Sequence, residues 1–101
     1  MRRYHTKHGV VLAGICGEYL LVAAKSARDS LSYVTQLNES SAFLWKVLEN
    51  GADEQTLEER VLEEYEIEDP AAARMAIRDF IEQMLSAGYL IEEKQGENKN
   101  E

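Results

Sequence analysis

Apolar positions near the start of the chain are spaced as in β-strands. Val10–Ile15 and Glu18–Ala24 are two apolar runs with β-branched or aromatic residues, and the break at Cys16 and Gly17 between them is typical of a hairpin turn. Further along, Leu31–Leu37 alternates with the period of a third strand. Its two predicted faces are Leu31, Tyr33, Thr35 and Leu37 on one side and Ser32, Val34 and Gln36 on the other. We therefore predict a three-stranded antiparallel meander.

The remainder of the chain changes to helical spacing. Apolar stripes predict one helix through Ala42–Leu48, one through Leu57–Tyr65 and one through Ala71–Ala87. Residues suited to cap or end these helices flank them: Asn38, Ser40, Ser41, Asp53 and Asp69 at the starts, and Gly51 and Gly88 at the ends. Strands followed by helices indicate the α+β class.

The length of 101 residues corresponds to one domain. We expect residues 1–9 to be a flexible N-terminus, residues 10–91 to be the folded domain and residues 92–101 to be a disordered polar tail. A domain of this size has little room for a deep active-site cavity.

The net charge of −8 is unevenly distributed. Residues 1–48 carry six Lys or Arg and three acidic residues, whereas residues 49–69 carry ten acidic residues and a single Arg. The front half offers a small basic patch, but the acidic middle would repel phosphates. Nucleic-acid binding is therefore disfavoured, although it is kept as an alternative function.

Cysteine content and hydropathy bear on where the protein resides. Cys16 is the only cysteine, so no disulfide can form within the chain. No long apolar segment follows the polar residues Met1–Gly9, as it would in a signal peptide, and no run approaches the roughly 20 apolar residues of a membrane span. We expect a cytoplasmic protein with no membrane partner.

No group of residues has the spacing of a catalytic or metal site. His5 and His8 lack further ligands nearby, and Cys16 has no basic partner or helix N-terminus to activate its thiol. The carboxylates of residues 58–68 fall on the solvent side of the second predicted helix. We expect no enzyme activity, no cofactor and no metal.

The third predicted strand is an edge of the meander. Leu31–Leu37 contains neither a charge nor a proline, the usual devices that protect an edge from pairing. Three explanations remain open for such an edge: it is covered, it pairs with a second copy in a homodimer, or it accepts an extended peptide by strand addition.

The residues around this edge resemble the PqqD family. The resemblance rests on Gln36–Ala42, the pair Leu44-Trp45, Leu48 and Gly51, and continues downstream. The downstream matches are Thr56, Leu57, Val61, Leu62 and Tyr65 in the second helix, and Phe80, Ile81, Leu85 and Ala87–Leu90 at the end of the third. The similarity spans residues 10–91.

The resemblance implies a winged-helix-like domain that recognises precursors of ribosomally made, post-translationally modified peptides. Such domains bind the precursor's leader segment and deliver it to a modifying enzyme, often a radical S-adenosylmethionine enzyme. The leader adds as a further strand beside the third strand, in the groove towards the third helix. On this chain the edge is Leu31–Leu37 and the helix is Ala71–Ala87.

Backbone pairing alone is too weak for such a function. About three to five new hydrogen bonds contribute a few kcal/mol, ordering the leader opposes this by about 2–5 kcal/mol, and micromolar binding needs about 8 kcal/mol. Side chains must supply the difference. The candidates are Arg74 and Arg78, which could meet an acidic leader residue or simply be solvated, together with Ile81 and Leu85 as an apolar pocket.

Overall fold

A computed structural model describes residues 2–23 and 34–93 of the chain. The predicted meander forms a sheet of β2 (Val10–Ile15), β3 (Glu18–Ala23) and β4 (Val34–Leu37), with β3 in the centre and every pairing antiparallel. Residues 31–33 of the predicted third strand lie outside the described residues, as does the side chain of Val34.

The β2–β3 turn has the backbone conformation that the sequence suggests. Cys16 and Gly17 have φ angles of 51° and 80°. Positive φ at both central residues is the requirement of a tight hairpin turn whose twist matches that of the strands. The register that follows sets Leu12 opposite Leu21 on the inner face.

Three helices follow, each started by the capping residue that the sequence indicates. They are α1 (Glu39–Leu48), α2 (Glu54–Glu64) and α3 (Pro70–Ala87). Carboxylate or amide oxygens accept from backbone N–H groups at each start: Asn38 from Ser41, Asp53 from Thr56 and Asp69 from Ala72. Gly88 ends α3 at a φ of 88°, a left-handed conformation that favours glycine.

A second sheet joins the two ends of the described chain. Its central strand is β1 (Arg3–Thr6), which pairs antiparallel with β5 (Ala52–Asp53) and with β6 (Leu90–Glu92). β1 lies within residues 1–9, which were predicted to be a flexible N-terminus, and β6 ends at Glu92, the first residue of the predicted tail. The division of the chain into N-terminus, domain and tail stays a prediction. The β1 sequence carries no alternation of its own, and its partners are distant in the chain, so no local pattern marks it.

The core lies between the sheets and the helices. Trp45, Leu21, Leu48 and Leu57 are its largest fully buried side chains. Trp45 packs edge-to-face against Tyr89, with ring centroids 6.4 Å apart. Trp45 is therefore a core residue. The predicted α+β fold with a meander and three helices is confirmed.

Candidate functional site

The edge strand β4 closes one side of the meander. Its four residues pair with β3 from Val34 opposite Val22 to Leu37 opposite Tyr19, and within the described ranges no strand pairs with its other edge. Alternate residues of an antiparallel strand direct both backbone groups to the same side. Two of these four residues therefore face away from β3 and leave about four polar groups for a partner.

A hydrogen bond connects β4 to the end of α3. The hydroxyl groups of Thr35 and Tyr89 lie 2.5 Å apart, across 54 positions of sequence. Tyr89 is buried, and its backbone N–H donates to the carbonyl of Met84 in the last turn of α3. The spacing between the edge strand and α3 is thus set by a direct contact as well as by the core.

The two arginines of the predicted helix flank face α2. The Arg74 guanidinium donates to both carboxylate oxygens of Glu58 at 2.9–3.3 Å, and Arg78 donates to Glu54 at 2.9–3.0 Å. The hydrogen bond with Glu58 raises the pKa of Arg74 above its ordinary value. Both cations are therefore already matched by a carboxylate of this chain.

The structure brings Arg78, Ile81 and Leu85 together around a shallow cavity of about 310 Å³. The remaining wall comes from the start of the chain and from both helices: Arg2, Tyr4, Glu54 and Glu82. Ile81 is buried and Leu85 is half-buried. No residue of β4 lines this cavity, so the predicted helix flank and the described part of the edge strand do not share it.

A larger groove opens at the end of β4. Its volume is about 580 Å³, and it lies between the start of α1, the end of α2 with the segment that follows, and the middle of α3. Asn38, the residue directly after β4, is part of its wall, whereas no residue of β2, the opposite edge of the same sheet, lines it. A peptide paired along β4 would therefore reach this groove at its next residues.

Sequence reasoning did not identify this groove or the role of Tyr89. The groove walls come from three helical segments, and the α3 residues involved, Ala76 and Phe80 among them, look like an ordinary core stripe in sequence. The signal that was available is the small residue Ala76, since a small side chain on an apolar stripe leaves room for a ligand.

The described residues contain no cluster of three or more His, Cys, Asp or Glu side chains that could hold a metal ion. Cys16 is exposed as a free thiol in the β2–β3 turn. No helix within residues 2–23 and 34–93 is long and apolar enough to cross a membrane.

Comparisons with known proteins agree with this architecture. The family model "Coenzyme PQQ synthesis protein D (PqqD)" matches residues 18–90. The complex of TbiB1 with the TbiA(beta) leader peptide is similar in fold, with a TM-score of 0.67 and 21% identity over 85% of this chain and 93% of that chain. A lasso peptide synthetase B1 complexed with its leader peptide has a TM-score of 0.67 and 17% identity, over 87% of this chain and 96% of that one. Among curated proteins there is no match.

Proposed function

Because the chain belongs to the PqqD family, whose members are peptide-binding partner proteins and not catalysts, we propose that it binds the leader segment of a ribosomally synthesised precursor peptide. The leader adds as a strand to the predicted third strand, Leu31–Leu37, of which β4 is the described part, and the chain presents the precursor to a modifying enzyme. The observation that carries this proposal is the uncharged edge of β4, with which no strand of residues 2–23 and 34–93 pairs, beside a groove lined by α3.

Two further observations support peptide binding at this edge. Both similar structures hold a leader peptide. The edge is also firmly positioned, since β4 is paired with β3 along its described length and joined to the end of α3 through Thr35 and Tyr89. A preformed edge reduces the ordering cost that opposes binding.

The arginines of the described residues offer little to a nucleic acid. Besides Arg74 and Arg78, the remaining arginines of residues 2–23 and 34–93 are also paired with carboxylates: Arg2 with Glu92, Arg3 with Glu93 and Arg60 with Glu63. Phosphate binding would have to displace these glutamates. Leader binding is therefore preferred over nucleic-acid binding. Its proposed location, the cytoplasm, rests on the sequence alone.

The enzyme that receives the leader is proposed to be a radical S-adenosylmethionine enzyme. The test is reconstitution of the modification reaction with the full precursor, in the presence and absence of this chain. We expect the rate at low precursor concentration to depend on the chain. Modification that is independent of it at every precursor concentration would contradict the presentation step.

Strand addition is tested on the peptide, so that the protein's folding is not disturbed. The probe is a synthetic leader peptide from a short precursor gene adjacent to the gene of this chain, N-methylated at one amide at a time. Every second amide of a paired strand faces β4. We expect about tenfold weaker binding at alternate positions and little change between them, since a lost hydrogen bond and the clash with the methyl group add up to about 1.4 kcal/mol or more.

Amide chemical shifts of the isotope-labelled protein locate the site. We expect the amide shifts of β4 and α3 to change when the peptide binds. Those of β2, at the opposite edge of the sheet, should stay unchanged and serve as the internal control. A loss of affinity without a period of two, or shifts confined to β2, would refute strand addition at β4. Sedimentation of the free protein tests the remaining alternative, a homodimer through β4, which the peptide would then fail to displace.

A further inference from the structure

The groove beyond β4 has an apolar floor. Four side chains from the three helices form it: Leu44 of α1, Val61 of α2, and Ile77 and Phe80 of α3. Ala73 and Ala76 leave the space open on the α3 side. A volume of about 580 Å³ accommodates a large aliphatic or aromatic side chain together with part of its neighbours.

The rim of the groove is acidic. Its charged members are Glu66, in the segment after α2, and Asp79 of α3, and no Lys, Arg or His lines the groove. Both carboxylates are exposed, and neither has a hydrogen-bond or ion-pair partner among residues 2–23 and 34–93. Glu54 and Glu58 differ in this respect, because each forms an ion pair with an arginine of α3.

We propose that this groove receives an apolar side chain of the bound peptide and that Asp79 and Glu66 select a Lys or Arg beside it. The inference rests on the proposed function and specifies the class of leader. All pairings in the β2–β3–β4 sheet are antiparallel, and the added strand is taken to continue this pattern. Its N-terminal end then lies beside Asn38, at the C-terminal end of β4 and in the wall of the groove. The apolar and basic residues therefore precede the strand-forming segment of the leader.

The acidic rim of the groove favours a basic peptide segment over an acidic one. Two carboxylates without a partner in the described part of the chain line the groove. The protein as a whole carries a net charge of −8, which attracts a cationic peptide at long range. On the opposite flank of α3 the cations are neutralised by α2. An acidic leader would meet repulsion at the groove and no available cation on the other flank.

The first test removes each rim charge while it keeps the side-chain shape. Asp79→Asn and Glu66→Gln are compared with Glu68→Gln, an exposed glutamate that does not line the groove. The probe is the synthetic leader peptide described above, titrated by calorimetry. Exposed charge pairs of this kind predict about two- to fivefold weaker binding for each rim variant, a weaker dependence on salt, and no change for the control.

The second test exchanges the charges. Asp79→Lys should weaken binding of the native leader, and a leader in which the basic residue is replaced by Glu should regain affinity for this variant alone. The apolar floor is tested by Ala76→Phe, which fills the groove, against Ala72→Phe, which lies on the same helix outside it. We expect more than tenfold weaker binding for the first and an unchanged affinity for the second.

The outcomes separate this inference from the proposed function. Binding along β4 that is insensitive to the Asp79, Glu66 and Ala76 variants, or a native leader without a basic residue beside an apolar one, would overturn the inference and leave leader binding intact. Absence of any leader binding would overturn both.

Discussion

The hydroxyl groups of Thr35 and Tyr89 join the edge strand to the last turn of α3. This is a direct side-chain contact between β4 and the residue that follows the Gly88 stop of α3. A hydrogen bond here holds the strand at a defined distance from the helix. Under the proposed strand addition it would reduce the ordering cost of binding.

We expect Tyr89→Phe and Thr35→Val each to weaken leader binding by about two- to fivefold and to lower the free energy of unfolding by about 1 kcal/mol. The double variant should cost little more than either single one, because both remove the same bond. Tyr4→Phe, in the other sheet, serves as control. Fully additive effects would show that the bond does not couple the two elements.

Proline at the edge should abolish strand addition. Val34→Pro removes a backbone N–H, and its ring obstructs pairing, so we expect leader affinity to fall by more than about tenfold. Val34→Thr retains the N–H group and should bind as the parent does. Fluorescence of Trp45, the only tryptophan, which is fully buried, verifies that each variant is folded. An unchanged affinity in folded Val34→Pro would contradict the proposed pairing.

The arginine flank of α3 should matter little for the leader. Arg74→Ala and Arg78→Ala remove solvent-screened ion pairs with Glu58 and Glu54, so each should change the free energy of unfolding little. Leader affinity should stay within about twofold, since these guanidinium groups are already paired. A tenfold loss would instead establish the sequence-based prediction that Arg74, Arg78, Ile81 and Leu85 contact the leader.

The Asp53 cap at the start of α2 should make the stability of the protein depend on pH. The backbone N–H of Thr56 donates to Asp53 at 2.7 Å and holds the pKa of that carboxyl below its ordinary value. The resulting stabilisation is complete above the pKa of an unfolded Asp, about 3.9, and is lost as the pH falls through the lower pKa of the folded state. Asp53→Ala should cost about 1 kcal/mol at pH 7.

Urea unfolding followed by Trp45 fluorescence measures this effect. The difference in unfolding free energy between the parent and Asp53→Ala should shrink as the pH falls below about 4. Glu82→Gln, at an exposed glutamate in the second half of α3, is the control. If the difference in unfolding free energy between the parent and Asp53→Ala is the same at pH 7 as below about pH 4, the cap does not depend on the charge of Asp53.

Local signals explain why so much of the fold was predictable. The hairpin at Cys16 and Gly17, the caps at Asp53 and Asp69 and the stop at Gly88 each depend on residues only a few positions apart. The structure confirms all of them. The edge character of the third strand follows from the order of elements and was equally accessible.

What the sequence did not reveal depends on contacts between distant segments. β1 is recognisable only through its pairing with β5 and β6, about 50 and 90 positions away. The engagement of Arg74 and Arg78 by α2 depends on how the two helices pack, and an isolated helix shows only two cations one turn apart. The groove has the same origin, because its wall is shared by three helical segments.

The pairing of β1 with β6 also makes the domain suited to circular permutation and to insertion into another protein. Tyr4 lies opposite Glu92, so the first and last strands of the described residues are neighbours in one sheet. A short linker could therefore join them in a circular permutant whose new ends open at the exposed β2–β3 turn, or the whole unit could be spliced into a surface loop of a host protein. In either arrangement the free edge of β4, which belongs to the other sheet, would keep its access to a peptide.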